Sequence, residues 1–411
     1  MHHIVDIAYG FAEACSIELK RAPVTWVDRT AQLRMWSLLA IFRPLLWVWQ
    51  CVVLGLRTPS PNVRPQTILI YLQGMLGDVS VHLPVVRALK LRYPTAEINC
   101  VCYSEGFPIA GLLKDLPFFD RLVVVSDHPV VRRGASLVLS DVQLEGLSAD
   151  LFVNLSPFSN RGVPGFVARE MVFARKLGAR FYLGDTLSLY GVPEWSKRAK
   201  RLFVRNEPRR GWRVVAPLGV ISDGNNEFAL PCRTRARGMP VERPSGESSR
   251  AYAVVHPGAK HSVKLWPAAY YGQVAAYLQR VHGLDVLITG SMGESMIADQ
   301  VIQASGNVAT NLCGKTSIPE MIELIRGARL VLTNDTGPMH LSGLLNRPTV
   351  AIFGTRMTVR NWYPVGDRTT VLMHYHADSF SYDDEGRVPH RMENISPEIV
   401  AKEIDKLLCE F

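Results

Sequence analysis

Cysteine is sparse and unpaired along this chain of 411 residues, with seven scattered at positions 15, 51, 100, 102, 232, 313 and 409. That spacing excludes a disulfide scaffold and the paired pattern of a zinc site, and it suits a reducing cytoplasm. Cys100 and Cys102, two apart in INCVCY, point the same way from a strand and read as small core residues. A leader pattern is missing as well: Met1 to Ser16 carries Asp6 and Glu13 and has no basic stretch leading into an apolar core. Charge is modest, 20% of residues against 47% hydrophobic, which excludes a largely disordered chain. The basic runs at 197–201 (KRAKR), Arg209 to Arg213 and Arg233 to Arg237 have no aromatic interleaving beyond Trp212. No nucleic-acid module is visible around them, so no nucleic-acid partner is expected. A clean membrane span is lacking too, because the apolar stretch Met35 to Leu56 is broken centrally by Arg43 and Pro44.

What is present begins with that interrupted stretch. Trp36, Trp47 and Trp49 with Arg29, Arg34, Arg43 and Arg57 fit a helix lying in the interface of an anionic membrane; the alternative is a hydrophobic helix packed on protein or on a second subunit. A net charge of +9 favours anionic partners, acidic lipid surfaces and phosphorylated small molecules among them. The length asks for two cores. From Gln66 onward short apolar runs alternate with helical stretches. TILIYL (67–72), EINCVCY (97–103), RLVVV (121–125) and DLFVNL (150–155) read as buried strands, and 79–93 reads as a helix. The periodicity fades between Trp195 and Arg250, and the later part reads as loop and linker. A second series follows: strands at 251–258, 285–290, 329–334 and 348–354, and helices near 268–281, after Gly293 and after Gly337. Ser396 to Phe411 closes the chain as a helix with Ser at the N-cap and Pro at the first position. Such alternation predicts two doubly wound α/β halves with parallel sheets.

In such sheets ligands bind beyond the carboxyl ends of the strands, where helix N-termini present free amides. Four segments fall there. Gln73 to Asp78 (QGMLGD) follows the first strand, its glycines allowing a tight turn and close approach; it lacks the G-x-G-x-x-G spacing and the Gly-Lys-Ser/Thr ending. Asp78 is left at the mouth of the next helix, either as a capping carboxylate or as a group facing a ligand. His256 to Pro267 (HPGAKHSVKLWP) offers Gly258 for backbone approach and Lys260 and Lys264 to neutralise phosphate, unless these are ordinary solvated lysines. Leu332 to His340 (LTNDTGPMH) combines a strand end, a Thr336 hydroxyl, Gly337 and Pro338 at a helix start, which makes either an anion site or a plain capped helix. His340, one turn on, reaches the same phosphate or packs under the helix. Thr289 to Glu294 (TGSMGE) carries a carboxylate suited to ribose hydroxyls.

In this order the segments resemble the ADP-heptose:lipopolysaccharide heptosyltransferases, glycosyltransferase family 9. The likeness is carried by ILIYLQGMLGDVSVHLPVVRALKLRYP, by VVHPGAKHSVKLWP and by the long NLCGKTSIPEMIELIRGARLVLTNDTGPMHLSGLLNRPTVAIFG. It covers roughly Thr67 to Arg121 and Tyr252 to Pro364; Ala259 and Lys260 bring no hydroxyl where relatives often have Ser or Thr. The resemblance implies a GT-B fold, two Rossmann-like domains facing a cleft. It divides the chain into an N-terminal extension (1–65), an acceptor-binding domain (66–225), a linker (226–250), a nucleotide-sugar-binding domain (251–395) and a C-terminal helix (396–411) with the N-terminal domain as candidate packing partner. It makes Asp78 the general base of an inverting displacement and Lys264 a second catalytic group. Gly77, Gly258, Lys260, Lys264, Glu294, Asp335, Thr336, Gly337 and His340 are implied to bind the nucleotide sugar, with no metal and no cofactor beyond the substrate, ADP-heptose in the first instance. The implied partner is a lipopolysaccharide-core or lipid-linked acceptor at the inner face of the cytoplasmic membrane; residues 35–56, outside the match, are the expected peripheral membrane contact on their own tryptophan and arginine pattern. A degenerate sugar-nucleotide-binding protein, a transferase using another nucleotide sugar, and an epimerase or phosphorylase on the same fold remain the alternatives.

Overall fold

A computed structural model of the chain describes residues 49–103, 113–114, 116–126, 128–133, 136–140, 142–156, 164–184, 207–222, 251–354, 362–373 and 392–410. The chain divides into two units. One runs to Asp223 without 108–116, and the other takes those residues and everything from Gly224.

In the first unit β1 (Thr67–Gln73) leads through α1 (Leu76–Ser80) and α2 (Leu83–Arg92) to β2 (Glu97–Tyr103) and β3 (Arg121–Val125). An antiparallel hairpin, β4 (Val130–Arg133) with β5 (Ser136–Leu139), precedes β6 (Leu151–Asn154), α3 (Pro164–Lys176), β7 (Phe181–Leu183) and α4 (Glu207–Val215). The sheet order is β3-β2-β1-β6-β7, parallel throughout. Ile68 to Leu72 are all fully buried, as a strand covered on both faces requires. The stretch expected as one helix over 79–93 is two, because Pro84 brings no amide hydrogen and opens α2 at its second position. Residues 1–48, with most of the expected membrane-contacting helix, lie outside the described residues. The end of that stretch is a turn of π-helix, Trp49–Val53, after which Leu54 and Leu56 enter the core of the first unit and Arg57 pairs with β7. Among the described residues no helix is long and apolar enough to cross a membrane. Of the basic runs, 197–201 and 233–237 lie outside the described residues, as does the expected linker 226–250. Arg209 to Arg213 are helical in α4, with Arg210 buried.

The second unit is β8 (Tyr252–His256), α5 (Ala268–His282), β9 (Asp285–Ile288), α6 (Ser295–Ala304), β10 (Ala309–Asn311), α7 (Ile318–Gly327), β11 (Leu330–Asn334), α8 (Gly337–Leu344), β12 (Thr349–Phe353), β13 (Thr369–Met373) and α9 (Pro397–Glu410). Its sheet order, β10-β9-β8-β11-β12-β13, is the parallel dinucleotide-binding order. Local signals explain the helices. Tyr271, Val274, Ala275 and Leu278 form the buried stripe of α5, and Gly283, at φ 63°, ends it. Ser317 and Glu320 form a reciprocal cap on α7, the Glu320 carboxylate accepting the Ser317 amide at 2.7 Å. Helix α9 packs in the second unit: Val400, Ile404 and Leu407 join its core, and the Tyr277 hydroxyl donates to Asp405 at 2.8 Å. Each of the three side chains gains roughly 1.5–3 kcal/mol on burial there.

Candidate active site

In the second unit the sheet order reverses between β8 and β11, so the loops leaving these strands open side by side at their carboxyl ends. Helix α8 starts there, with Thr336 as its extended N-cap residue, Gly337 first and Pro338 second. The Thr336 hydroxyl is turned to the Asn334 carbonyl, 3.3 Å, rather than capping the helix. Leading amides and helix dipole therefore stand available to an anion. Lys264 comes to the same corner from the β8 loop. Its Nζ lies 2.7 Å from the Asp335 carboxylate and 3.4 Å from the Asp335 carbonyl. Burial raises the Asp335 carboxyl above the usual range and Lys264 pulls it back, leaving it raised. A diphosphate entering here would compete with Asp335 for the three donors of Lys264.

His340 sits one turn into α8, 3% exposed, its ring edge-on to Trp362 at 6.2 Å. Burial first, then the charge of Lys264, pushes its pKa down to about 3, so the ring is neutral, and Nδ1 has no hydrogen-bond partner. It packs under the helix yet keeps an unmet polar atom. Gly258 and Glu294 are also brought together: a β-carbon at 258 would run into the Glu294 carboxylate and push it aside. The other Glu294 oxygen accepts the Ser291 amide and hydroxyl at 2.7 and 2.8 Å, a reciprocal cap that fixes the carboxylate. Lys260 is exposed on the loop.

Asn334 was the residue whose part the sequence left unstated. Fully buried, its amide donates to the Pro257 and Gly258 carbonyls at 2.8 and 3.4 Å and accepts the Trp266 amide at 3.3 Å. It ties the end of β11 to both arms of the β8 loop. Trp266, buried in turn, donates its indole N–H to the Ile395 carbonyl at 2.8 Å. The sequence signal for Asn334 was its position between a strand and the Asp335-Thr336-Gly337 turn.

In the first unit the order reverses between β1 and β6. Asp78 stands not at the N-cap but at the third position of α1, and its Oδ2 accepts the Met75 amide at 2.7 Å. The turn before it needs Gly74, whose φ of 120° and whose hypothetical β-carbon, 2.4 Å from Asp78 Oδ2, exclude a side chain. Gly77, expected with the nucleotide-binding loops, is a helical residue of α1 in the first unit. Among the described residues no group of three or more His, Cys, Asp or Glu gathers as a metal site.

Two units, each built on a parallel α/β sheet with a switch point, are the architecture of a solved glycosyltransferase. The solved structure of E. coli ADP-heptose lps heptosyltransferase II matches with a TM-score of 0.59 at 20% identity, covering 84% of this chain and 99% of that one. The family model for Glycosyltransferase family 9 (heptosyltransferase) matches residues 223–386. Lipopolysaccharide heptosyltransferase 2 of Escherichia coli K12 is 32% identical over 305 residues, 70% of this chain and 82% of that protein. Lipooligosaccharide heptosyltransferase 2 of Haemophilus influenzae is 28% identical over 162 residues, 38% of this chain, and the match spans 46% of that relative. The chain belongs to glycosyltransferase family 9 and is a transferase.

Proposed function

We propose that the protein is an inverting heptosyltransferase that moves heptose from ADP-heptose to a lipopolysaccharide-type acceptor at the cytoplasmic face of the membrane. The acceptor hydroxyl attacks the anomeric carbon as Asp78 takes its proton, and the bond to the diphosphate breaks with the electron pair leaving on the phosphate oxygen. Charge on the departing ADP falls on Lys264 and on the leading amides of α8, with Thr336, Gly337 and His340 around it. Asp335, Glu294 and Gly258 hold the rest of the donor. The observation that carries this reading is the Lys264–Asp335 pair at the start of α8, a cation held ready for a diphosphate. The names of the relatives, heptosyltransferases acting on lipopolysaccharide or lipooligosaccharide, support the sugar and the acceptor class.

The test is a thermal-shift panel of ADP-, GDP-, UDP- and CMP-sugars, since a ligand at a hundred times its dissociation constant stabilises by about 2.7 kcal/mol. ADP-heptose is expected to give the largest shift. Asp78→Asn is expected to keep that shift and lose transfer. Equal shifts for all nucleotides refute the donor assignment, and unchanged turnover removes Asp78 as base.

A further inference from the structure

Arg210 is an arginine driven into the carboxyl end of the first sheet. It is 2% exposed and delivered by α4. Its guanidinium donates to the Leu155 carbonyl at 2.9 Å and to the Ser156 carbonyl at 2.7 Å, just beyond β6. It also donates to His82 Nε2 at 3.3 Å. His82 lies between α1 and α2: its amide donates to Val79 in α1, and its carbonyl accepts the amides of Val85 and Val86 in α2. Burial, with the charge of Arg210 second, holds His82 well below its usual pKa, as an accepting neutral ring must be. Gly211 is shaped to the same contact, because a β-carbon there would lie 2.7 Å from His82 Nδ1. One arginine thus braces the end of β6 against the joint of the helical turn that carries Asp78. The terminal Nη2 of this buried charge gathers two carbonyls and an imidazole nitrogen at one point, within reach of a side chain as long as arginine.

We infer that Arg210, acting through His82 and the Leu155–Ser156 carbonyls, is a positioning residue that sets the angle of α1 and hence the placement of the Asp78 carboxylate. This rests on the reading of Asp78 as the base. Misplacing a reacting group by about 1 Å costs up to about a hundredfold in rate while leaving binding elsewhere intact.

The experiment uses the full chain with ADP-heptose and a heptose-deficient lipopolysaccharide core, and measures kcat, both KM values, ADP affinity and the thermal midpoint. Arg210→Lys and His82→Leu are expected to lower kcat by about 10- to 100-fold, with both KM values and ADP affinity within about twofold of the parent. His82→Gln, which keeps an acceptor near the Nε2 position, recovers most of the rate. Gly211→Ala displaces His82 with Arg210 intact and reproduces the loss, which covers the case in which Arg210→Lys does not fold. Val215→Ala removes core packing from the same helix and lowers the thermal midpoint alone. If Arg210→Lys, His82→Leu and Gly211→Ala behave like Val215→Ala, with kcat of the folded enzyme intact, the inference is overturned while an inactive Asp78→Asn leaves the base standing. If Asp78→Asn turns over normally, the reading beneath it has failed first.

Discussion

Replacing Glu170 by glutamine probes the buried polar network beside β6 through its pH dependence. The Glu170 carboxyl on α3 is buried and accepts the side-chain amide of Asn154, which also donates to the Tyr182 hydroxyl and whose carbonyl oxygen accepts the Ser156 amide. Burial outweighs the Asn154 hydrogen bond and the charges of Arg210 and Arg169, so the pKa rises from 4.5 to about 7. Between those values the folded protein holds a proton that the unfolded chain has released. The contribution to stability is therefore full below about pH 4.5 and is lost as pH rises through about 7. Each pH unit in that window is worth about 1.4 kcal/mol, so ionising Glu170 costs about 3 kcal/mol by neutral pH. Glutamine keeps the shape and an acceptor for Asn154 without the charge. Native-state hydrogen exchange at the Phe152 and Val153 amides of β6, followed from pH 5 to 8, reports on the first unit by itself. The parent is expected to lose protection across the window relative to Glu170→Gln, by up to about 3 kcal/mol. Parallel pH profiles for the two proteins would refute the argument.

Gly258→Ala places a β-carbon against the Glu294 carboxylate and is expected to weaken ADP-heptose binding by about tenfold or more with the fold retained, read by titration calorimetry. Asn334→Leu strips hydrogen bonds from two carbonyls and one amide at the switch point; at about 1 kcal/mol each it is expected to cost about 2–3 kcal/mol in urea unfolding and to weaken ADP binding as well. His340, with its pKa near 3, refuses a proton that the unfolded chain accepts below about 6.5. Its depressed pKa removes stability as pH falls through that interval, so His340→Gln is expected to resist acid better than the parent between pH 6 and 4, measured by thermal midpoints.

Strands with an unbroken apolar run, such as Ile68 to Leu72 in β1 and Leu330 to Leu332 in β11, were readable because a strand covered on both faces needs no alternation. Helices with local punctuation, α7 with its Ser-Pro-Glu start and α5 with its closing glycine, were readable for the same local reason. The β4–β5 hairpin, β7, β10, β13 and α4 were not, since their short or charged sequences depend on neighbours for their stability. Arg210 shows why: by composition it belongs to a solvated basic run, and only the carbonyls at the end of β6 and the ring of His82 make its burial tolerable.

By itself the sequence determined the two doubly wound halves, the strand ends at which ligand groups gather and the residue types placed there, because alternation of apolar runs with helix starts is a local code. The tertiary structure alone decided the pairings: Lys264 with Asp335, 71 residues on, Gly258 with Glu294, Asn334 across the β8 loop, and α9 on the second core. It also decided protonation, leaving His340 neutral and Glu170 near neutrality. Both depend on how much water and which charges surround a group, and those are properties of packing between segments far apart in the chain.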